Sequence, residues 1–446
     1  MPSWVRKTYW NAFTLWQVRA EARLPYRPLE EILAVQNRRV RTIVTHAYET
    51  VPYYRAVMDK AGLHPSDFRT ADDLVRLPIL TGKQVACAPE QFLSHGYASS
   101  HNLKIRSSGT SGRARYIHYD PAALFLALAH GQRQRAVLAQ FVGRQFGYRE
   151  MSAIRSESVS VQIRNFYESY SWVPKRVDLT RSILSPRNTF AENIAQINTF
   201  QPDVISGYGS YIGALFRRAW EQDCSVFRPK AVVYGAEQLT DPDRLLIERE
   251  FGVPVLSSYQ AVEALRLAFQ CERREGFHLC LDDVAVRVVD EQGRTVELGG
   301  TGNMVISNLT NRATVLLNYQ LGDVVTLSPS ACPCGRTLPT IERIVGRSDD
   351  LLVLPDGQVA HALIVLEDLR AVPGVVQVQI IQEDLRCFVL RVVCAGDTDW
   401  GQANQRLDAA MRSLFGNDIS LGIERLDSIP SEPGGKVRAV ISRCRQ

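Results

Sequence analysis

The chain has 446 residues, too many for one compact core, and this length predicts two to four folding units. Its composition, 45% hydrophobic and 22% charged, is that of an ordinary globular protein. The net charge of +5 is small for this size, so it is compatible with an anionic ligand such as ATP, and no nucleic-acid partner is expected without a concentrated basic face.

The N-terminal segment is rich in aromatic residues but lacks the uninterrupted apolar run of a signal peptide. No stretch is long and apolar enough to predict a transmembrane helix. The nine cysteines are an odd number, which predicts reduced thiols and a cytoplasmic location. Two alternatives stay open for the segment: it lies on a membrane surface or, as we favour, it packs as a helix on its own domain. Its aromatic residues are Trp4, Tyr9, Trp10, Phe13 and Trp16.

Helical patterns dominate the first third of the chain. Residues 29–80 are amphipathic and punctuated by prolines, which predicts several helices. Residues 121–141 predict a long helix, with Asp120 as its N-cap and Pro121 at its first position. We expect His130, inside this helix, to be structural or exposed rather than to line a pocket.

Between residues 190 and 260, helical patterns alternate with short apolar runs, which is typical of βαβ units with parallel strands. Two later runs predict a more antiparallel region, and a boundary is expected at residues 346–350. The fold class is therefore α/β, with a large N-terminal domain of parallel and mixed sheets (1–346) and a small α+β C-terminal domain (351–446), joined by residues 347–350. The predicted strands lie at 203–206, 231–234, 253–257, 284–289 and 302–307, and beyond the boundary at 375–381, 387–393 and 419–426.

A loop rich in serine and glycine follows the polar run 101–106. Its glycines permit unusual backbone conformations and its hydroxyls add donors, so the loop can wrap a polyphosphate. It lacks the Gly-Lys-Ser/Thr ending of a Walker loop, and by itself the pattern is more typical of an ordinary turn. The loop consists of Ser107, Ser108, Gly109, Thr110, Ser111 and Gly112.

Three cysteines and a histidine form a set that suits tetrahedral zinc. Cys280 is a spare candidate, and the alternative is that all of them are buried thiols beside an ordinary histidine. With four protein ligands no position stays open for a catalytic water, so the zinc would be structural and would pin the turn that carries Arg336. The predicted ligands are Cys271, His278, Cys332 and Cys334.

Six stretches, beginning with the loop, occur in an order that resembles the adenylate-forming superfamily, which includes acyl-CoA synthetases and peptide-synthetase adenylation domains. The finer resemblance is to the phenylacetate-CoA ligase-like branch and its capsule-biosynthesis relatives, through Val51-Pro52-Tyr53-Tyr54-Arg55 and Cys332-Pro333-Cys334-Gly335-Arg336. The five stretches after the loop are Gly235-Ala236-Glu237, Tyr259-Gln260-Ala261-Val262-Glu263, Tyr319-Gln320-Leu321-Gly322-Asp323, Gly346-Arg347-Ser348-Asp349-Asp350 and Pro433-Gly434-Gly435-Lys436-Val437-Arg438.

The resemblance implies an ATP site. The loop would hold the β- and γ-phosphates, and Asp323 would accept hydrogen bonds from the ribose hydroxyls. Glu263 would bind Mg²⁺, which prefers hard oxygen ligands. Adenine would lie against the aromatic face of Tyr259 and against the strand end formed by Gly235, Ala236 and Glu237.

The resemblance also implies the catalytic groups. Lys436, carried by the mobile C-terminal domain, would bridge the carboxylate and the α-phosphate. Residues 347–350 would form the hinge to this lid domain, and Arg347 would contact the nucleotide there. Asp349 would be the pivot about which the domain rotates between half-reactions. In-line displacement at the α-phosphate depends mainly on such positioning and charge stabilisation.

The reaction implied is activation of a small carboxylic acid, aromatic in the relatives suggested by the resemblance, to its acyl-AMP with release of pyrophosphate. The acyl group would then pass to CoA. Two alternatives stay open: an adenylating enzyme with an amine, hydroxyl or carrier-protein acceptor, and a catalytically weakened nucleotide-binding scaffold. A homodimer is an assembly state left open. Four residues depart from the superfamily pattern, namely Arg115, Gln260, Val262 and Asn318, and the departures at Val262 and Asn318 favour the scaffold alternative.

Overall fold

The computed structural model describes residues 2–21, 23–97, 101–107, 115–172, 180–185, 188–237, 239–347, 351–354, 359–430 and 438–444. Its α-helices are α1 (Ser3–Glu21), α2 (Leu29–Thr50), α3 (Pro52–Ala61), α4 (Gly82–Cys87), α5 (Pro121–Val142), α6 (Val159–Tyr170), α7 (Phe190–Phe200), α8 (Gly209–Glu221), α9 (Asp241–Glu250), α10 (Ala362–Arg370) and α11 (Trp400–Phe415). Short 3-10 helices lie at Leu24–Tyr26, Pro65–Asp67, Ala71–Arg76 and Pro89–Phe92.

The β-strands fall into a large sheet, a smaller sheet and two hairpins. They are β1 (Leu103–Ser107), β2 (Arg115–Tyr119), β3 (Arg149–Ala153), β4 (Thr180–Ile183), β5 (Val204–Tyr208), β6 (Ala231–Gly235), β7 (Val255–Tyr259), β8 (Ala268–Phe269), β9 (Phe277–Leu279), β10 (Val284–Val289), β11 (Thr301–Asn308), β12 (Tyr319–Leu327), β13 (Thr340–Arg347), β14 (Leu351–Val353), β15 (Val359–His361), β16 (Val375–Gln382), β17 (Cys387–Cys394), β18 (Ser420–Arg425) and β19 (Val440–Ser442).

The large sheet has eleven strands in the order β10-β11-β12-β13-β9-β8-β7-β6-β5-β3-β4. From β7 through β4 every pair is parallel, and from β7 through β10 every pair is antiparallel. Apolar runs separated by helices produce the parallel half, because the helices cover both faces of those strands. The predicted α/β fold class, with its parallel and its more antiparallel regions, is confirmed.

The C-terminal sheet has the order β18-β17-β16-β19 and packs with α10 and α11 around its own apolar core. Its central pair, β16 and β17, is antiparallel, and each outer strand joins it in parallel. This is the small α+β C-terminal domain expected from the sequence. The division at residues 347–350 stays a prediction, because residues 348–350 lie outside the described part of the chain.

Helix α5 begins and ends as its sequence indicates. The Asp120 side chain accepts a hydrogen bond from the Ala123 backbone N–H at 3.0 Å, which satisfies one of the free donors of the first turn. Pro121 occupies the first turn, and Gly143 ends the helix in the left-handed conformation at φ +86°. Between these two ends, apolar side chains of α5 are buried in the core of the N-terminal domain.

Helix α1 packs on α5, which confirms the favoured alternative for the N-terminal segment. The Trp10 and Phe125 rings stack with centroids 4.7 Å apart, and Thr14 and Glu21 are buried. Within the described residues, no helix combines the length and the apolar character that crossing a bilayer requires.

A cluster of six buried or half-buried charges ties α1, α2 and α5 to the segment before β10. Arg133 donates two hydrogen bonds to the Asp282 carboxylate, at 2.8 and 2.7 Å, and one to Glu21 at 2.9 Å. His130 forms ion pairs with Glu21, at 3.2 Å, and with Asp283. The three acids balance the three bases, so burial is compensated by pairing. This buried charge cluster consists of Glu21, Arg39, His130, Arg133, Asp282 and Asp283.

The buried charge cluster makes stability depend on pH. Burial alone would lower the pKa of His130, but the carboxylates of Asp283 and Glu21 outweigh it and raise that pKa to about 9. Because the folded-state pKa lies above the unfolded value of about 6.5, the stabilisation is fully present below that value and is lost as pH rises through about 9. We therefore expect the urea concentration at the midpoint of unfolding to decrease as the pH is raised from about 6.5 to about 9.

The His130→Gln variant should show a flatter pH dependence over the same interval. His95→Gln, which changes an exposed histidine, is the matched control and should follow the wild type. A His130→Gln profile parallel to that of the wild type would show that this imidazole does not contribute the pH dependence.

Candidate active site

Three neighbouring parallel strands end at the same edge of the large sheet. Strand β5 ends at Tyr208, β6 at Gly235 and β7 at Tyr259. The carboxyl edge of a parallel sheet is where ligands bind in open α/β folds, because the strand-to-helix loops converge there. The predicted adenine-contacting residues therefore share one edge.

The backbone after β6 is tightly constrained. A Cβ on Gly235 would lie 2.9 Å from the Ser258 hydroxyl oxygen of the neighbouring strand, so the close approach of β7 favours glycine. Ala236 adopts the left-handed conformation, with φ +64°, which is costly for a residue with a Cβ. The Glu237 carboxylate accepts a hydrogen bond from Ser210 at the start of α8. These contacts fix the strand end against its neighbours.

Tyr259, Asp323 and Arg347 come together from three strands. The Tyr259 hydroxyl donates a hydrogen bond to one oxygen of the Asp323 carboxylate, and Arg347 Nη1 lies 3.5 Å from the other. Asp323 and Arg347 are directly opposite in the β12–β13 ladder. Burial and the adjacent Asp323 carboxylate raise the pKa of Tyr259 well above its ordinary value, so its hydroxyl stays a donor. The carboxylate is thus held in one orientation.

Glu263 is buried beside Arg115 and Tyr319. Its Oε1 lies 3.6 Å from Arg115 Nη2, and the Tyr319 hydroxyl donates to the same oxygen at 3.5 Å. Arg115 also donates to the Tyr319 hydroxyl at 2.7 Å. A Cβ on Gly82 would collide with the Arg115 guanidinium, so the first residue of α4 leaves room for it. Arg115 thus keeps a cation beside Glu263.

The described residues that flank the predicted phosphate loop are the ends of the β1–β2 hairpin. Ser107 and Arg115 pair at the hairpin's end, and the Arg115 guanidinium lies beside Glu263. Of the loop, Ser107 is described as a strand residue. The other predicted loop residues, Ser108, Gly109, Thr110, Ser111 and Gly112, lie outside the described residues, as do Asp349 and Lys436.

One departure from the superfamily pattern, Asn318, has a structural explanation. Asn318 is buried at φ +52°, donates to the Leu77 carbonyl at 2.6 Å and accepts from Arg287 at 3.0 Å. Asparagine tolerates this backbone region, so its role is to hold the chain before β12. The carbonyl of Val262 accepts a hydrogen bond from the Tyr119 hydroxyl at 2.7 Å, which anchors the backbone next to Glu263.

Sequence reasoning missed the contacts that bind the site together. The bond from Tyr259 to Asp323 and the contact of Arg115 with Glu263 join residues 64 and 148 positions apart (323 − 259 and 263 − 115). No local pattern signals such pairs. Gly82 also escaped notice, and the only signal is a glycine at the first position of a capped helix, after Thr81.

The four predicted zinc ligands converge in space. Their ligand atoms all lie within 4.8 Å of one another. The sulfurs of Cys271 and Cys332 are 3.8 Å apart, and Cys334 Sγ lies 3.3 Å from His278 Nε2. Tetrahedral zinc with Zn–S bonds of about 2.3 Å requires sulfur–sulfur edges of about 3.8 Å. The spacing of the four side chains therefore fits one zinc ion.

The surroundings of these residues also suit a metal. His278 Nδ1 lies 3.3 Å from the Leu338 carbonyl oxygen, which fixes the ring with Nε2 directed towards Cys334, as a metal-binding histidine requires. Burial lowers the pKa of His278 to about 4, so the ring is neutral at pH 7. Cys280 lies in the core near Arg133 rather than in this group, and burial raises its pKa to about 12.

Metal analysis is expected to find about one zinc ion per chain in the purified protein. Cys332→Ser should lose most of that zinc, because it removes one of the four ligands. Cys87→Ser, which changes an exposed thiol, is the matched control and should keep the wild-type content. A zinc-free wild-type protein, or equal zinc in the two variants, would contradict the assignment.

Comparisons with known proteins agree with the fold. The family model described as the CapK C-terminal domain matches residues 352–443. A phenylacetate-coenzyme A ligase of Thermus thermophilus is 28% identical over 350 residues, 73% of each chain. Protein CapK of Staphylococcus aureus is 22% identical over 431 residues, 94% of this chain and 91% of that protein.

One solved structure shows the same fold over nearly the whole chain. It is 2-hydroxyisobutyryl-CoA ligase in its postadenylation state, in complex with R3-HIB-AMP. The TM-score is 0.74 at 18% identity, and the match covers 94% of this chain and 91% of that chain. The large sheet and the C-terminal sheet are therefore arranged on a known ligase fold.

Proposed function

We propose that this chain, a member of the adenylate-forming superfamily on the branch of the phenylacetate-CoA ligases and CapK, is an ATP-dependent, AMP-forming ligase. It activates a carboxylic acid as the acyl-AMP, releases pyrophosphate and passes the acyl group to CoA. The observation that carries this proposal is the convergence of Tyr259, Glu263, Asp323 and Arg347 where β7, β12 and β13 of the large sheet come together, beside the ends of the β1–β2 hairpin.

The nucleotide contacts follow from this convergence. Tyr259 and the strand end at Gly235, Ala236 and Glu237 receive adenine. Asp323, held by Tyr259 and Arg347, presents its carboxylate to the ribose hydroxyls, and a prepositioned acceptor avoids the cost of ordering it on binding. The loop from Ser107 to Gly112 holds the β- and γ-phosphates.

Magnesium would be held by Glu263, a buried carboxylate that offers the hard oxygen such an ion prefers. When bound, the ion neutralises phosphate charge that would otherwise oppose nucleophilic attack. Arg115, at 3.6 Å from Glu263, adds a fixed positive charge at the same place. The chain's own cations thus provide part of the electrostatic stabilisation.

The catalytic step is assigned to the C-terminal domain. Lys436 bridges the acid carboxylate and the α-phosphate, and Arg347 contacts the nucleotide next to the hinge. Asp349 is the pivot for rotation of the domain, which exchanges adenylation for acyl transfer. The zinc site stays outside the chemistry and pins the turn of Arg336, whose guanidinium pairs with Glu272 at 2.8 Å.

The similarity to CapK extends over 94% of the chain, whereas that to the phenylacetate-CoA ligase covers 73%, so the test is not limited to CoA as the acyl acceptor. An amine, a hydroxyl or a carrier-protein thiol is therefore tested beside CoA. The alternative of a weakened nucleotide-binding scaffold loses one argument, because Asn318 has a structural role that explains its departure from the pattern.

The test is pyrophosphate release from ATP and magnesium with a panel of aryl and alkyl carboxylic acids. We expect release with at least one small acid, and aromatic acids are tested first. In this proposal the protein acts in the cytoplasm. A working acid is then combined with CoA, amines, alcohols and a carrier protein, and the product is identified by mass. Absence of both pyrophosphate release and ATP binding across the panel would refute the enzyme assignment.

A further inference from the structure

Helix α1 has two different faces. Trp10 and Glu21 face the protein, but the opposite face leaves large aromatic and apolar side chains in solvent. Tryptophan and tyrosine rings have an apolar body and a polar edge. Two tryptophans and a tyrosine on one exposed helix face therefore suit the boundary between water and an apolar phase. The exposed fractions are 65% for Trp4, 55% for Tyr9, 58% for Leu15 and 69% for Trp16.

The charge on α1 that is not buried is positive. Its single carboxylate, Glu21, is buried and paired with Arg133 at 2.7 Å. Its remaining charged residues, Arg6, Lys7 and Arg19, are all basic. A second copy of the chain docked here about a two-fold axis would bring these like charges together. The face instead complements an anionic surface.

A cavity of about 410 Å³ adjoins this face. Tyr9 stacks on Phe13 with ring centroids 6.5 Å apart, and Phe13 lines the cavity together with apolar side chains of α2 and α5. Arg38 and Arg312 also line it. Within the described residues neither guanidinium forms an ion pair with a carboxylate. The cavity therefore combines an apolar wall with an excess of positive charge.

The acid in the cavity wall is already satisfied. Asp120 accepts hydrogen bonds from the backbone N–H groups of Ala123, at 3.0 Å, and of Arg312, at 2.9 Å. Arg39, the third arginine of the wall, pairs with Asp283 at 2.8 Å. The apolar wall and the guanidinium groups of Arg38 and Arg312 remain to contact a ligand. An anionic group attached to an apolar body matches them, and an anionic phospholipid has this chemistry.

We propose that the outer face of α1 and the adjoining cavity bind the surface of a bilayer that contains anionic phospholipids. Trp4, Tyr9 and Trp16 lie at the level of the headgroups, and Arg19, Arg38 and Arg312 contact lipid phosphates. The attachment is peripheral, and it is independent of the adenylation reaction because none of these residues belongs to the proposed nucleotide site.

Sedimentation of the full-length protein with vesicles tests this proposal. We expect binding to phosphatidylcholine vesicles that contain phosphatidylglycerol, little binding to phosphatidylcholine alone, and loss of binding as salt is raised. The double variant Trp4→Ala/Trp16→Ala should lower the partition coefficient at least about tenfold. Arg38→Gln and Arg312→Gln should each lower it about fivefold.

Matched controls separate the surface from general effects. Trp220→Ala removes a tryptophan on α8 that is 50% exposed, and Arg294→Gln removes an exposed arginine. Both variants should bind as the wild type does. Quenching of wild-type tryptophan fluorescence by brominated phosphatidylcholine in the anionic vesicles gives a readout without any substitution. Quenching is expected, and it should fall in the Trp4→Ala/Trp16→Ala variant.

The proposal is overturned if the wild type neither sediments with the anionic vesicles at low salt nor shows quenching. It is also overturned if light scattering shows a dimer that the Trp4→Ala/Trp16→Ala variant abolishes while vesicle binding is absent. In that case the face is an interface between copies of the chain. Unchanged circular dichroism of each variant establishes that a loss of binding is not a loss of folding.

Discussion

Replacing Arg133 with methionine is expected to lower the free energy of unfolding by about 3–5 kcal/mol, because it leaves the carboxylates of Asp282 and Glu21 buried without their cation. Arg133 donates three hydrogen bonds to these two acids, and its side chain is 1% exposed. Burial raises the pKa of Asp282 and the positive charges of Arg133 and His130 more than reverse this, so its pKa lies well below the ordinary value. Without Arg133 that balance is lost.

The measurement is urea unfolding followed by tryptophan fluorescence at pH 7. Arg294→Met is the matched control, because Arg294 is 76% exposed and pairs with Asp290 at 2.8 Å. An exposed pair of this kind contributes about 1 kcal/mol or less. Equal shifts in the two variants would show that the buried charge cluster has no special weight. A double variant, Arg133→Met with Asp282→Asn, should recover part of the loss, since it removes one unpaired charge.

Replacing Lys436 with alanine is expected to reduce the rate of pyrophosphate release by about 10²–10³-fold while ATP binding persists, because the ammonium acts on charge that develops in the transition state. The segments on either side of its loop are anchored: Ile429 is buried, and the Arg438 carbonyl accepts a hydrogen bond from Gln379 at 2.7 Å. The substitution therefore changes the side chain without removing the anchors.

Single-turnover release of pyrophosphate and equilibrium binding of ATP separate the two effects. Lys60→Ala, on the exposed side of α3, is the control for loss of a lysine elsewhere and should behave as the wild type. Adenylation at the wild-type rate in Lys436→Ala would refute its assignment. Equal loss of ATP binding would make it a binding residue instead.

Local patterns predicted the elements of this fold well. Alternating helices and apolar runs gave the parallel strands β5, β6 and β7, and the Asp-Pro start gave α5. The predicted helical stretch to residue 80 was partly wrong, because after Ala61 the described chain forms short 3-10 turns rather than longer helices. Pro65 opens the first of these turns and Thr70 is the N-cap of the second, so each turn starts anew instead of continuing a longer helix.

The tertiary arrangement could not be predicted in the same way. His130 and Arg133 stand in an apolar helix pattern, and the sequence alone does not reveal that Glu21, more than a hundred residues earlier, meets them. Pairing between such distant charges is set by packing, not by local propensity. The order of motifs nevertheless indicated which residues belong to one site, because it came from a resemblance that covers most of the chain.

The strand order of the large sheet has a consequence for synthesis of the chain. Strand β13 fills the gap between β9 and β12, both of which precede it in sequence. Until residue 347 has left the ribosome, these two strands present open hydrogen-bonding edges to the cell. A nascent chain stalled before β13 therefore carries two templates for aggregation, and the last strand of the sheet to be made is the one that removes both.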